Sequence, residues 1–395
     1  MTTPDRIDDV DALRGFALLG ILLVNIMAFA SAFYGLELAD PTFSSIFDRA
    51  VHLVIALFFE MKFYLLFSFL FGYSFTLQMR SAEKAGEAFV PRLLRRQAGL
   101  WLIGVTHAVL LFHGDILTTY AVLGVVLLML RNRSDDALFR LAKWLVILVA
   151  IAWGALGILA TLEPIPLDRS AILAAAEATE LAFRGNWQTV IGQHLMELST
   201  IWVIVGLLQA PSALAMFLLG LIAGRHKMLA RPRENRALFR RLLCAGLWIG
   251  LPGAVIYAYA SVEMLDSPIA IIGLSVGLIT GPFLTGAYVG GMMLFFGSKA
   301  GERLRNLLAP AGRMALSNYL MQSLFAALIF HGYGLGLIGK VSPLATVLIA
   351  LGIFTAQLFI SRWWMARFVY GPLEWVLRFI TIWRPPQWRK PVEAR

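Results

Sequence analysis

The chain has 395 residues, of which 59% are apolar and only 15% charged, and its mean hydropathy is +0.74. A soluble domain carries roughly a quarter charged residues, so this composition excludes an ordinary soluble enzyme. The net charge of +10 does not point to nucleic acid, because basic cytoplasmic loops alone produce a basic membrane protein; the single cysteine, Cys244, leaves no internal disulfide and no cysteine-based zinc site.

Apolar stretches long enough to span a bilayer recur along the chain. In order the apolar stretches predict spans at about 12–33, 51–77, 97–112, 116–130 and 142–161, then 202–224, 238–260, 269–296, 314–331 and 344–365; the third is short for a crossing and is kept because the topology needs it. The first stretch is too long for a signal-peptide core and lacks a small-residue cleavage site, so it reads as a retained helix. Pro211 predicts a kink in the sixth span. Cys244 falls at helical spacing in an apolar run and is expected in the core.

Charge tests the count. Taking every second loop together with both ends collects 29 of the 34 lysines and arginines, from Arg6 and Arg14 to Arg395; the exceptions are Arg49, Lys62, Arg169, Arg184 and Lys340. The other loops are acidic or nearly uncharged; the acids are Glu37, Asp40, Asp48, Glu163, Asp168, Glu177, Glu180, Glu263 and Asp266. The positive-inside rule then predicts an all-α bundle of ten transmembrane helices in a bacterial inner membrane, with both termini cytoplasmic. It is one integral membrane domain: five helices over 1–161, an outer segment over 162–200, and five helices over 201–395. Ile172, Leu173, Ala176, Thr179, Glu180, Leu181 and Phe183 suggest a short amphipathic helix on the outer surface, or a partly ordered loop.

Ionisable residues inside a membrane are costly and therefore mark candidate sites. Asp8, Asp9, Asp11 and Arg14 open the first span; Asp11 and Arg14 share a helix face, and acids are also favoured at any helix N-terminus. Asn25 falls near mid-membrane, where it can hold helices together. Glu60 and Lys62 fall near the middle of the second span, two apart and so on different faces. Each needs a partner elsewhere or a hydrophilic cavity, and such a cavity is expected to reach Glu60, Lys62 and His107.

In GVTHAVLLFHGDILTTY, His107 can act as a base near neutral pH and Asp115 can orient it. Eight residues of straight helix span about 12 Å, so the two meet only if the turn at His113-Gly114-Asp115 folds back; Asp115 also suits an N-cap. In GRMALSNYLMQS, Asn318 and Gln322 form an amide stripe, whose bland reading is helix–helix hydrogen bonding. The chain has no GxxxxGK[ST], HExxH or GxSxG, so ATP hydrolysis, a zinc protease and a hydrolase elbow have no support. No clear internal repeat is present, which weighs against an inverted-repeat transporter.

The opening RIDDVDALRGFALLGILLVN, the KFYLLFSFLFG run, the GxxH…GDIL turn, GRMALSNYLMQS and the late YGPLEWVLR resemble, in order and over essentially the whole chain, the bacterial YeiB-like membrane proteins, whose C-terminal half is a domain of unknown function. Through DxxRG and a ten-helix bundle, that family is distantly similar to the transmembrane acyltransferase superfamily, which includes the acyltransferase-3 proteins and the lysosomal heparan-glucosaminide N-acetyltransferase. The resemblance implies acyl transfer from cytoplasmic acyl-CoA, acetyl-CoA first among them, to a hydroxyl or amine of a sugar, lipid or small molecule beyond the membrane.

Carried over by motif, Asp11 and Arg14 match DxxR, and His107 and Asp115 match the GxxH and GDIL elements. The expected site then has His107 as base and Asp115 or Glu60 holding its imidazole. Asn318, Gln322 or Lys62 steadies the oxyanion, while Arg14, Arg95, Arg96 and Arg313 hold the CoA phosphates. No metal is called for. The expected partners are membrane lipid and a small-molecule or glycan acceptor, with a homodimer left open. A transporter or flippase using Glu60, Lys62 and His107, and a lipid-binding protein without turnover, are the alternative readings.

Overall fold

A computed structural model describes residues 7–36, 38–163 and 167–391; Arg6, Glu37 and Arg395, which entered the charge pattern, lie outside the described residues. Sixteen α-helices run through them. The first half holds α1 (Asp8–Ala30), α2 (Ile46–Phe58), α3 (Lys62–Lys84), α4 (Phe89–Leu110), α5 (Leu117–Leu130), α6 (Asp135–Leu162), α7 (Arg169–Phe183) and α8 (Trp187–Ile204). The second holds α9 (Ala210–Arg225), α10 (Arg236–Ala245), α11 (Leu251–Glu263), α12 (Ile269–Phe296), α13 (Lys299–Arg313), α14 (Ala315–Phe330), α15 (Pro343–Arg367) and α16 (Pro372–Ile382). Apart from short 3₁₀ and π turns, the only other regular pairing among the described residues is an isolated bridge between Phe368 and Arg389.

Among the described residues, seven stretches are long and apolar enough to cross a membrane: α1, α2 with α3, α6, α8 with α9, α10 with α11, α12, and α15. Helices α5 and α14 are apolar but shorter. Large apolar side chains cover the outside of the bundle; Trp248 is 81% exposed and Phe359 67%. A protein that turns such residues outward is solvated by lipid. The chain is an all-helical, multi-pass membrane protein.

The loops meet in two separate sets. On one face Arg313 bonds Asp8 and Asp11, Arg305 pairs with Asp9, Arg225 reaches Asp135 and the carbonyls of Arg131 and Arg133, and Arg80 bonds the Gly224 carbonyl. On the opposite face Gly339 N–H bonds the Ala30 carbonyl, Gly332 N–H bonds that of Phe183, Arg169 pairs with Asp266, and Arg49 with Glu263. The first set is the basic one in the sequence. Four of the five exceptional cations lie on the opposite face: Lys340, next to Gly339, and Arg49, Arg169 and Arg184, these three each beside an acid, Arg184 2.8 Å from Glu180.

Three expectations are corrected. The second span is not one helix. It breaks at Phe59–Met61, where Met61 takes φ +64°, so Glu60 and Lys62 sit at a discontinuity rather than inside a regular helix. Lys62 donates to the Ala56 carbonyl at 2.6 Å and so satisfies an acceptor that the end of α2 leaves free. The sixth span begins earlier than expected: α8 runs from Trp187 through a π turn at Val205–Gln209 into α9. Pro211 explains the widening, since its ring excludes the carbonyl four residues back; Pro252 follows a second π turn, Gly246–Gly250, for the same reason. Cys244 is exposed on α10 rather than buried.

The amphipathic segment of the 162–200 region is a helix, α7. Helix also forms over α13, in a segment read as a loop, and over α16, in the C-terminal segment; α13 packs along α1, and α16 against α4 and α14. Helices α3 and α9 touch backbone to backbone at two glycines. A Cβ on Gly72 would stand 2.1 Å from the Phe217 carbonyl oxygen, and one on Gly220 2.1 Å from that of Phe69.

Candidate active site

His107 and Asp115 do meet. The last turn of α4 ends at Leu110, the chain reverses through Leu111–Ile116, and α5 starts at Leu117. The Asp115 carboxylate returns to His107 Nδ1 at 2.8 Å. Its second oxygen accepts the Thr118 amide at 2.8 Å and so satisfies a donor in the first turn of α5, although the N-cap position itself is Ile116. On the other side of the ring, His107 Nε2 lies 2.8 Å from the Ser323 hydroxyl on α14. All three residues are buried, His107 to 1% exposure. Gly104, one turn before His107, lets α5 approach: a Cβ there would be 2.7 Å from the Thr118 nitrogen.

Two cavities open from opposite faces toward this cluster. The cavity on the basic side has a volume of about 360 Å³, and Arg14, Arg92, Arg96, Arg313 and Arg378 line it against, among the described residues, a single carboxylate, Glu374. Most of these arginines are already engaged. Arg14 pairs with Asp11 at 2.8 Å and reaches Ser74, Arg313 bonds Asp8 at 2.5 Å, and Arg92 bonds Glu87 at 3.1 Å. Arg96 has a buried Nη1 with no hydrogen-bond partner among the described residues, its guanidinium carbon 5.5 Å from the Phe71 ring centre. Glu374 receives the Leu316 and Ser317 amides and the Ser317 hydroxyl at the start of α14. Burial pushes its carboxyl above the usual range, and those hydrogen bonds oppose the rise.

The cavity on the opposite side has a volume of about 490 Å³. Asn25, Tyr34, Asp40, Arg49, His52, Glu60, Tyr64 and Tyr257 supply its polar wall. The Glu60 carboxylate accepts from Tyr34 at 2.5 Å and from Tyr257 at 2.7 Å. The irregular backbone of Phe59–Met61 borders this cavity, as membrane-depth backbone outside regular helix generally must. Ile21, Ile116 and Tyr319 belong to the walls of both cavities and form the partition between them. The Tyr319 ring centre is 5.0 Å from that of His107.

The expected cavity therefore reaches Glu60 but is lined by neither Lys62 nor His107. Lys62 is 1% exposed and lies 5.0 Å from the Tyr257 ring centre, so it supports the wall from behind. Glu60 does not hold the imidazole; Asp115 does. Arg14, Arg96 and Arg313 line the basic cavity as expected, whereas Arg95 does not and instead donates to the Thr381 carbonyl on α16. Asp11 holds Arg14 and Arg313 in position.

The amide stripe faces away from both cavities. Asn318 bonds the Ala311 carbonyl and Ser361, and Gln322 bonds Gln357 of α15. The reason is angular: Tyr319 and Ser323 follow each amide by one residue, about 100° around the helix, and it is they that meet His107. Residue-by-residue reading missed Ser323, Tyr319, Arg92, Arg378 and Glu374, although Tyr319 and Ser323 lie inside the motif that was singled out. His113 does not join the His107 cluster. Its ring packs 5.6 Å from His194 and 6.0 Å from Phe183, next to His331, and these histidines form no set that could hold a metal ion.

Residues 223–384 match the family described as Protein of unknown function (DUF418). The chain is 34% identical to "Uncharacterized protein YxaH" of Bacillus subtilis (strain 168), over 97% of this chain and 96% of that one. It is 28% identical to "Uncharacterized 39.9 kDa protein in amylase 3'region" of Bacillus acidopullulyticus, over 95% and 94%. To "Uncharacterized protein YeiB" of Escherichia coli (strain K12) it is 25% identical, over 94% and 95%. Full-length matches of this kind, together with the C-terminal family match, mean that the chain belongs to the YeiB-like family of membrane proteins.

Proposed function

We propose that this protein is a transmembrane acyltransferase of the bacterial inner membrane, with ten crossings, the basic face and both termini in the cytoplasm, and acyl-CoA as donor. One observation carries the reading: a basic cavity and a polar-aromatic cavity approach each other from opposite faces and share a partition of Ile21, Ile116 and Tyr319, beside the His107–Asp115 pair. The ten crossings are the seven long stretches with α4, α5 and α14 added, and the two sets of loop contacts support that alternation. Arginine suits the phosphates of CoA because its fork donates two parallel bonds. A carboxylate on Nδ1 leaves Nε2 as a base toward an acceptor hydroxyl or amine. The acceptor enters from the side of Glu60, Asp40 and the tyrosines.

Calorimetry with acetyl-CoA and CoA, alongside transfer assays with radiolabelled acetyl-CoA on membrane extracts, tests this. His107→Ala abolishes transfer and leaves CoA affinity within a few-fold, because a base acts in the transition state. Absence of binding of any CoA species to folded wild-type protein refutes the acyl-CoA reading. One feature favours the alternative, a transporter: the broken α2–α3 helix lines a cavity with Glu60, as discontinuous helices do at transport sites.

A further inference from the structure

We propose that Ser323 is a nucleophile that carries the acyl group as a covalent ester, so that transfer runs in two half-reactions. The inference rests on the acyl-CoA reading above and adds the residue that holds the acyl group: Ser323 is buried and lines neither cavity, but lies one turn along α14 from Tyr319, which borders both. A serine within a helix ordinarily satisfies its hydroxyl on the carbonyl four residues back. Here that carbonyl, of Tyr319, is 3.5 Å away, at the limit of a hydrogen bond, while His107 Nε2 is at 2.8 Å.

The direction of the bond follows from Asp115. The Asp115 carboxyl accepts the Thr118 amide with one oxygen and meets His107 Nδ1 with the other, an arrangement that suits the tautomer with the proton on Nδ1, donated to Asp115. Nε2 is then bare, and the Ser323 hydroxyl is the donor. Nucleophile, base and orienting acid are in a hydrogen-bonded line, the arrangement that activates serine for attack on acyl carbon. They come from three different elements, α14, α4 and the α4–α5 turn, so the line is a product of tertiary packing. Tyr319, one helical turn before Ser323 on the same face, borders both cavities and is the group an incoming thioester passes.

In the first half-reaction Ser323 Oγ attacks the thioester carbonyl. The C–O bond forms, the C–S bond breaks, the serine proton passes to His107 Nε2 and from there to the departing CoA sulfur. In the second, the acceptor oxygen or nitrogen attacks the serine ester. The acyl carbon bonds to the acceptor, whose proton goes to His107; the bond between the acyl carbon and Ser323 Oγ breaks, and His107 returns the proton to Oγ. No oxidant, reductant or metal enters the balance.

The test uses the full chain purified in detergent, without acceptor, in wild-type, Ser323→Ala and His107→Ala forms, each first checked for CoA binding. Radiolabelled acetyl-CoA is added, and the protein is digested and mapped by mass spectrometry; a fluorophosphonate probe is applied in parallel. Expected are one acetyl on the Ser323 peptide, stoichiometric release of free CoA, fluorophosphonate on the same serine, and a loss of about 10³-fold or more in labelling rate in both variants. CoA binding in Ser323→Ala stays within a few-fold of wild type, which shows that it is folded. Wild-type CoA release or transfer by Ser323→Ala, or acetyl recovered on another residue, overturns the proposal while leaving the acyltransferase intact. If no CoA species binds, the acyl-CoA reading fails, and the fluorophosphonate arm decides Ser323 alone: an unmodified Ser323 overturns its assignment as a nucleophile.

Discussion

Arg96→Met is the sharpest probe of the basic cavity. Five arginines line it, but Arg14 is held by Asp11 and Ser74, Arg313 by Asp8 and Asp11, and Arg92 by Glu87 and Ser81. Arg96 instead keeps a buried Nη1 with no hydrogen-bond partner among the described residues. A phosphate that binds there adds a charge-assisted bond without breaking one, and such a bond contributes about 1.5–3 kcal/mol. Removing it weakens binding by about 10- to 100-fold. Methionine keeps an unbranched apolar side chain while removing the guanidinium that lies over the Phe71 ring. The assay is calorimetric titration with CoA at two salt concentrations, on wild type, Arg96→Met, Arg14→Met and Arg95→Met. Arg96→Met shows the largest loss and a shallower salt dependence, Arg14→Met a smaller loss, and Arg95→Met, outside the cavity, none. CoA affinity of Arg96→Met within about twofold of wild type, or an equal loss in Arg95→Met, refutes the assignment of the phosphates to this cavity.

Two further predictions concern the scaffold. In a Cys244→Ala background, Ala175→Cys on α7 labels with a membrane-impermeant maleimide added to intact cells, and Ala300→Cys on α13 labels only after permeabilisation; both positions are exposed, and the reverse pattern sinks the proposed orientation. Gly72→Val pushes α3 off α9, because its Cβ would meet the Phe217 carbonyl at 2.1 Å and backbone cannot yield as a side chain does. Overpacking of this kind costs about 1–3 kcal/mol or more, so the midpoint of thermal unfolding in detergent falls, and an unchanged midpoint contradicts the close approach.

Much of the bundle is readable from residues alone because the bilayer imposes length and charge rules on each segment separately. The stretch 269–296 is α12 with the same bounds, and 314–331 and 344–365 match α14 and α15 within two residues. Local rules failed where a segment departs from one regular helix. Nothing in FFEMKFY by itself announces that Met61 takes a left-handed conformation, so Glu60 and Lys62 read as mid-helix charges. Helix α13 was missed because its apolar positions face α1 rather than forming a continuous hydrophobic run.

The candidate site divides in the same way. Composition, hydropathy and the spacing of basic loops determine by themselves a helical membrane protein and single out His107, Asp115, Glu60 and the basic-face arginines, because burying a charge in hydrocarbon is costly wherever its neighbours lie. Only the tertiary structure decides which of those groups act together. It folds Asp115 back onto His107, turns Ser323 rather than Gln322 toward the imidazole, sends Arg95 to α16 and leaves Arg96 at the cavity. Those choices depend on the reversal after Leu110 and on about 100° of helix rotation per residue. Pairing across residues 107 and 323 is a property of packing between distant helices, and no local pattern records it.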